Sequence, residues 1–423
     1  MDQNRVSIIP QNSYKKTEII TKLMAYFNQN ELTFEKKTIL LKPSFVLPNK
    51  KTEQKLSTNT HNNLIAALCE VLYRLNAKRI FIAEHNIVGP ARYSFYMVKI
   101  KEAIGEIPIA EMCYLDEKET INVKIEDSSI LNYNVEYPKI LLDGTVDFFF
   151  SLPKLKTNLY TEVSLSIKNN LGLITKKERL KYHDDRLHEH LANLYSIRPP
   201  DLVIADAIIA GEGQGPQKTS KVNTNMLIIG NKALSVDVVC CYLMGVDPLT
   251  IKYLKLVKKK GNGRLDIEQI NVINREYLNR KKKNFKSPEI NLKINPKITL
   301  YQGKQVCKEG CLGMLRGALD NFNNPQKWGK INKLNLIVGK DINLTRLELK
   351  QLKKDETIVF GDCAAKYKDY GIFIKGCPPE YIYTSQKMGI QGPFGTDPTF
   401  KDFSLWNFIK SYFIHGLQKL FKF

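Results

Sequence analysis

A chain of 423 residues, 43% hydrophobic and 10% aromatic, can bury a sizeable core and suggests two or three domains. The formal charge of +21 invites a nucleic-acid or membrane-surface role. However, lysine is spread along the whole chain, and the densest basic runs, Lys258–Lys260 and Arg280–Lys283, carry no recognised nucleic-acid-binding motif. No run of about 18 apolar residues occurs and residues 1–16 lack an apolar h-region, so neither a spanning helix nor a secretory signal is expected. The expected compartment is the reducing cytoplasm, where the eight cysteines read as thiols or metal ligands rather than a disulfide framework.

Taken in order, Tyr14–Phe27 has the helical period, with Ile19, Ile20, Leu23, Met24 and Phe27 on one face. Thr38–Val46 reads as a strand ending in Lys42-Pro43-Ser44. Thr60–Asn76 reads as an amphipathic helix, with Cys69 a small apolar residue on it. Arg79–Ala83 is a second strand, ending at Glu84-His85-Asn86. This alternation predicts a parallel sheet with right-handed crossovers. Glu119–Glu126 and Asn132–Leu142 predict a hairpin or small side sheet. Val146–Leu152 then has the length of a buried strand and is stopped by Pro153. Directly after it come Lys154, Lys156, Thr157 and Asn158, followed by Ser166, Lys168, Asn169 and Asn170 ahead of Gly172.

Lys176–Ile197 reads as one long polar helix containing KYHDDRLHEH. A metal site is the alternative, but His183 and His190 are two helical turns apart and His188 lies off that line, so one helix cannot bring all three to one ion. A solvated helix is therefore expected, with only His183 kept as a site residue facing the strand ends. Asp201–Asp206 is the next strand and runs into a glycine-rich loop, Gly211-Glu212-Gly213-Gln214-Gly215-Pro216. Its G-x-G-x-G spacing is not the dinucleotide fingerprint, so no nicotinamide cofactor is inferred. Asn225–Gly230 is a strand and Leu234–Met244 a helix carrying Asp237, Cys240 and Cys241. Complementing the helix dipole accounts for Asp237 as well as function does.

Lys42, Glu84, Lys154, Lys156, Asp206 and Glu212 all fall at or just after the carboxyl ends of predicted strands. In a parallel sheet those ends share one rim, where ligands bind. One polar, anion-recognising site follows, with Lys168, Asn169, Gly213 and Gly215 beside it. The alternative is a solvated lysine-rich loop. Lys154 and Asp206 are candidate catalytic residues, and His183, whose unperturbed pKa lies near neutrality, is the candidate for proton transfer.

Residues 271–297 read as a linker or crossover. A smaller α/β domain over 298–390 follows, with strands at Lys297–Tyr301, Leu334–Val338, Thr357–Phe360 and Gly371–Ile374 and a helix at Gly313–Phe322. Cys307, Cys311, Cys363 and Cys377 sit in its strand-end loops with glycines nearby, a set suited to a [4Fe–4S] cluster. A structural zinc or free thiols are the alternatives. Gly389–Pro398 predicts a hinge and Phe403–Phe423 a basic amphipathic helix. That helix can dock on the protein itself, on a second copy in a homo-oligomer, or on a membrane surface as a peripheral anchor.

Five segments, in this order, carry a resemblance: LLKPSFV at Leu40–Val46, IFIAEHN at Ile80–Asn86, SLPKLKT with SLSIKNNLGL between Ser151 and Leu173, DLVIADAIIAGEGQGP at Asp201–Pro216, and LSVDVVCCYLMGVDP at Leu234–Pro248. Together they resemble the DUF362 family, a prokaryotic domain of unknown function, over about residues 38–270. The resemblance implies an α/β fold over residues 1–270 and a common site, and supplies no reaction. GCPPE around Cys377 is similar to the cluster-binding segment in small subunits of hydrogenases and related oxidoreductases. The expectation is an α/β protein with a mostly parallel sheet, helices on both faces, a second smaller α/β domain and a hinge and C-terminal helix over 391–423. Its expected function is iron–sulfur redox chemistry on a small anionic substrate, or else ligand binding or non-redox catalysis with a structural zinc.

Overall fold

The computed structural model describes residues 4–46, 55–85, 90–126, 133–261, 263–380, 384 and 388. The predicted hinge Gly389–Pro398, the helix Phe403–Phe423 and Asn86 lie outside the described residues. The described chain forms two compact units. One draws on residues 4–178 and 188–288, the other on residues 179–187 and on 289 onward.

The first unit is built on a ten-stranded sheet. Its early strands are β1 (Arg5–Pro10), β2 (Thr38–Pro43), β3 (Arg79–Glu84) and β4 (Ala110–Tyr114). A separate antiparallel pair, β5 (Thr120–Ile125) and β6 (Tyr133–Pro138), follows where a side sheet was expected. The main sheet resumes with β7 (Phe148–Leu152), β8 (Lys154–Asn158) and β9 (Glu162–Ser164). It is completed by β10 (Leu202–Gln214), β11 (Lys218–Gly230) and β12 (Asn271–Ile273). The spatial order is β12-β1-β11-β10-β7-β2-β3-β4, with β8 and β9 branching from β10. β10, β7, β2, β3 and β4 are mutually parallel, while β11 runs antiparallel to β1 and β10. The fold is α/β with a mostly parallel sheet.

The core follows from the strand sequences. Every residue of β2 is buried, and successive side chains point to opposite faces. Ile39 and Leu41 therefore join Ile80 and Ile82 against helices Lys16–Gln29 and Asn62–Arg74, while Leu40 is buried on the other face. Helix Ala233–Met244, apolar along nearly its whole length, packs against β1, β10 and β11. A sheet covered on both faces needs such continuous apolar strands.

Several local expectations are corrected. Pro153 ends β7, but the chain does not leave the sheet. It steps sideways and pairs as β8 with β10, through Lys154 opposite Asp206 and Lys156 opposite Gly211. The glycine-rich segment Gly211–Gly215 is the end of a long hairpin and not a free loop, because β10 and β11 stay paired as far as Gln214 and Lys218. Residues 271–288 are not a linker: β12 pairs with β1, and helix Arg275–Lys281 follows. The long polar helix is two helices, Lys176–Lys181 and Leu187–Ile197. Asp184 breaks it by accepting from the Arg186 backbone N–H at 2.9 Å, a local bond that competes with the helical one. Nor is it solvated, since His183, Asp184, His188 and His190 are all buried.

The second unit has four parallel strands in sequential order: β13 (Ile298–Gln302), β14 (Leu334–Val338), β15 (Thr357–Phe360) and β16 (Ile372–Ile374). Each lies within about a residue of its predicted span, and helix Gly313–Phe322 has its predicted bounds. Ile337, Val359, Ala364 and Tyr367 form part of its core.

Candidate anion site and cysteine loops

β2, β3, β7 and β10 are parallel neighbours or near-neighbours, so their carboxyl ends form one rim in the first unit. Two buried knots stand there. In the first, Lys42 Nζ donates to Glu84 Oε2 at 2.8 Å and to the Pro43 carbonyl at 2.7 Å. It also reaches Asn169 Oδ1 at 3.4 Å. Asn169 Nδ2 donates back to the Lys42 carbonyl at 3.0 Å and to Ser151 Oγ at 3.1 Å. Gly172 closes this knot. A Cβ there would stand 2.6 Å from Lys42 Nζ and 2.7 Å from Glu84 Oε1, so any larger residue would have to displace this pair.

In the second knot Lys154 Nζ lies 3.0 Å from Asp206 Oδ2, and both side chains are 0% exposed. Register dictates the pair, because β8 and β10 set these two residues side by side. The Tyr14 hydroxyl donates to Asp206 Oδ1 at 2.7 Å and accepts from Lys154 Nζ at 2.8 Å. The His61 backbone N–H donates to Asp206 Oδ2 at 3.0 Å, and the His61 ring stacks on Tyr14 with centroids 3.8 Å apart. Burial pushes His61 down to about 4, against the opposing pull of Asp206, so its imidazole is neutral at physiological pH. Burial also lowers Lys154, with Asp206 acting the other way.

Lys156 lies at the centre of the cationic groups. It is 1% exposed, and its Nζ donates to the Thr58 carbonyl. Burial pushes its pKa well below the ordinary lysine value, and the charges of Lys168, Lys154 and Lys42 push the same way against Glu84 alone. Among the described residues no carboxylate oxygen lies within ion-pair distance of Lys156. A buried cation without a counter-charge is costly, and an oxyanion would relieve that cost. Lys168 and Asn169, carried by the short helix Ser166–Asn169, are the half-buried members of the group. A cavity of about 430 Å³ adjoins the second knot and is lined by Leu56, Asn59, Thr60, His61, Val98 and Lys99 among others.

Lys42, Glu84, Lys154, Lys156, Asp206, Lys168 and Asn169 thus come together. Glu212 does not: it lies on the outer part of the β10–β11 hairpin and accepts from the Lys286 backbone N–H at 3.0 Å. Gly213 and Gly215 are at the hairpin end, where the Gly213 carbonyl accepts from Thr157 Oγ1 at 2.8 Å and the Gly215 carbonyl from the Leu159 N–H at 2.8 Å. His183 belongs to the second unit, where its Nδ1 is 2.8 Å from the Glu309 carbonyl. Sequence reasoning missed Tyr14, His61, Thr58 and Thr60. Tyr14 carries no signal, but Ser57–Asn63 is an unbroken run of hydrogen-bonding residues between Leu56 and Leu64, which could have been read as a polar wall.

In the second unit Cys307 and Cys311 follow β13, Cys363 follows β15 and Cys377 follows β16. These strands are parallel, so the three loops leave the same edge. Cys307, Cys311 and Cys363 line one cavity of about 480 Å³ with Asp185, Lys304 and Lys340. Cys311 is pushed up to about 12 by burial and then by Cys307, Cys363 and Cys377. Cys307 is raised by burial, then by Asp185, Asp184, Cys377 and Cys363. A Cβ at Gly361 would lie 3.1 Å from Cys311 Sγ, and Gly310 packs on the His183 carbonyl. His183, Asp184 and Asp185 therefore accompany the cysteine loops. Among the described residues no group of three or more His, Cys, Asp or Glu side chains is arranged around a single metal ion. Cys69, Cys113, Cys240 and Cys241 are buried free thiols, apart from this set. Among the described residues no helix is long and apolar enough to cross a membrane.

The chain is similar to a thylakoid-associated protein of Synechocystis sp., at 23% identity over 229 residues, which is 53% of this chain and 68% of the relative. It is also matched to the crystal structure of a protein from Thermotoga maritima, at 8% identity and a TM-score of 0.38, covering 90% of this chain and 84% of that one. A likeness at that level carries no argument about chemistry. The model of the family described as "Domain of unknown function (DUF362)" matches residues 39–242, a span that holds Lys156 and both buried knots apart from Tyr14. Over that span the chain is a member of the DUF362 family.

Proposed function

We propose that the DUF362 region binds a small oxyanion, a phosphate- or carboxylate-bearing substrate, at the Lys156-centred cluster. We further propose that the second unit holds a [4Fe–4S] cluster through Cys307, Cys311, Cys363 and Cys377, making the whole a redox protein that passes electrons to that substrate. One observation carries the anion reading: Lys156 is buried among like charges with no carboxylate partner among the described residues. Lys42 and Lys154 are already paired, and they fix the positive field without needing the ligand. Lys156 remains to meet its oxygens, with Lys168 as the strongest charge acting on it.

The redox reading is supported by four thiols in loops from one edge of a parallel sheet, beside glycines that let backbone amides come close to sulfur. In a cubane each cysteine serves a different iron, whereas zinc would need all four sulfurs about 2.3 Å from one ion. The donor set suits the wider group. When bound, the cluster supplies one-electron chemistry. The chain's own part is to hold the thiolates, and Lys304 and Lys340 line the same cavity where they would offset cluster charge.

Full-length protein purified without oxygen is expected to carry about four irons and four sulfides per chain, with broad absorption near 400 nm. Cys363→Ser is expected to remove more than half of the iron. One zinc without iron would replace the redox reading by a structural site, and unchanged iron in the variant would take Cys363 out of the ligand set. The anion reading is tested separately, by calorimetric titration of the same protein with inorganic sulfate, which keeps its charge from pH 5 to pH 9.

A further inference from the structure

Asp237 lies far from the anion cluster in sequence and is part of neither buried knot. It sits on helix Ala233–Met244 and is 0% exposed. Its carboxylate points across to the start of helix Ser166–Asn169, accepting from the Ser166 N–H at 2.8 Å and from the Ile167 N–H at 3.0 Å. These are first-turn amides that have no partner inside their own helix. A helix of four residues has little intrinsic stability, so what clamps its first turn decides where its side chains stand. The two side chains that follow the clamped amides are Lys168 and Asn169. Asn169 holds Lys42 and Ser151, and Lys168 is the strongest charge acting on Lys156.

We infer that Asp237 is a positioning residue of the anion site, a clasp that holds Lys168 and Asn169 toward the ligand only while its carboxylate is ionised. This rests on the anion reading above. Among the described residues no Lys or Arg acts on the clasp. The titratable groups facing it are Tyr195 from helix Leu187–Ile197, Tyr253 from helix Lys252–Lys259, and Cys240 and Cys241 on its own helix. All four are neutral near pH 7, because burial raises each of them and Asp237 raises them further. The Ser166 and Ser235 hydroxyls are buried without a hydrogen bond among the described residues, so they lend it no support. Among the described residues its ionised form is held by two amides.

Geometry and titration agree. Burial raises Asp237 to about 7, against the pull of the Ile167 and Ser166 amides. The ionised carboxylate is therefore less favoured in the fold than in the unfolded chain. The stability contributed by this residue is greatest near pH 4, falls as pH rises to about 7, and is constant above. Protonation removes the charge and leaves one good acceptor for two amides, which loosens the clasp.

The test compares wild type with Asp237→Asn, which resembles the protonated acid, by titration with inorganic sulfate. At pH 8 the wild type is expected to bind at least fivefold more tightly. At pH 5.5 the two are expected to be equal. The urea midpoint of the variant at pH 8 is expected to be no lower than that of wild type. Hydrogen exchange of residues 166–173 in the wild type, corrected for intrinsic rates, is expected to quicken as pH falls through 7, and this needs no variant. A ratio that does not change with pH, or exchange that does not change, overturns the clasp. Wild type that binds no sulfate at pH 8 overturns the anion reading itself.

Discussion

At the scale of single residues, the site consists of charges placed where water cannot reach them. Lys154 and Asp206 face each other fully buried and share Tyr14. Such pairs gain little net stability, but breaking one leaves an uncompensated charge, at a cost of about 3–5 kcal/mol. Asp206→Asn is therefore expected to lower unfolding stability by about that amount, read as a shift of the urea midpoint at unchanged slope. A loss below about 1 kcal/mol would mean that the pair is solvated or already neutral. The identities of these residues were legible in the sequence, since lysines directly after an apolar strand stand out. Their pairing was not. Which carboxylate meets which lysine depends on the β8–β10 register, and Tyr14 reaches Asp206 from 192 positions away.

Elements were legible where the hydrophobic period is long and lost where tertiary contacts outweigh it. β2, β3, β7 and most of the second unit follow from apolar runs. β1 has polar neighbours on both sides and does not stand out, and it is held in the sheet because β11 and β12 pair with its two edges. The predicted helix Lys176–Ile197 is interrupted by the Asp184 side chain. The glycine-rich stretch reads as a loop by composition, yet it is a hairpin end held by its close approach to β8. A Cβ at Gly215 would come 1.9 Å from the Thr157 carbonyl oxygen, a backbone atom that cannot swing aside. Gly215→Ala is therefore expected to push the hairpin end off β8 and destabilise the first unit by about 1–3 kcal/mol. Because Thr157 adjoins Lys156, sulfate affinity should fall with it. Full stability and full affinity in the variant would contradict the tight packing of this end.

For the molecule as a whole, two units carry two chemistries. One gathers lysines and carboxylates at the edge of a large mixed sheet, and the other gathers cysteines at the edge of a small parallel one. Both arrangements follow from the rule that parallel strands deliver their following loops to one side. This is why the rim could be anticipated before any contact was known. That His183 belongs to the second unit was not legible in the sequence. Its segment, 179–187, leaves the first unit in the middle of a predicted helix and packs with the second, an exchange that no local period encodes.

The central claim is that Lys156 receives an anion. The most direct test is calorimetric titration of wild type and Lys156→Met with inorganic sulfate at pH 8. Methionine keeps the aliphatic volume and removes the amine, so the fold should persist while affinity falls at least tenfold, or about 1.4 kcal/mol. Equal affinity in a folded variant would contradict the account and return Lys156 to the core as a structural residue.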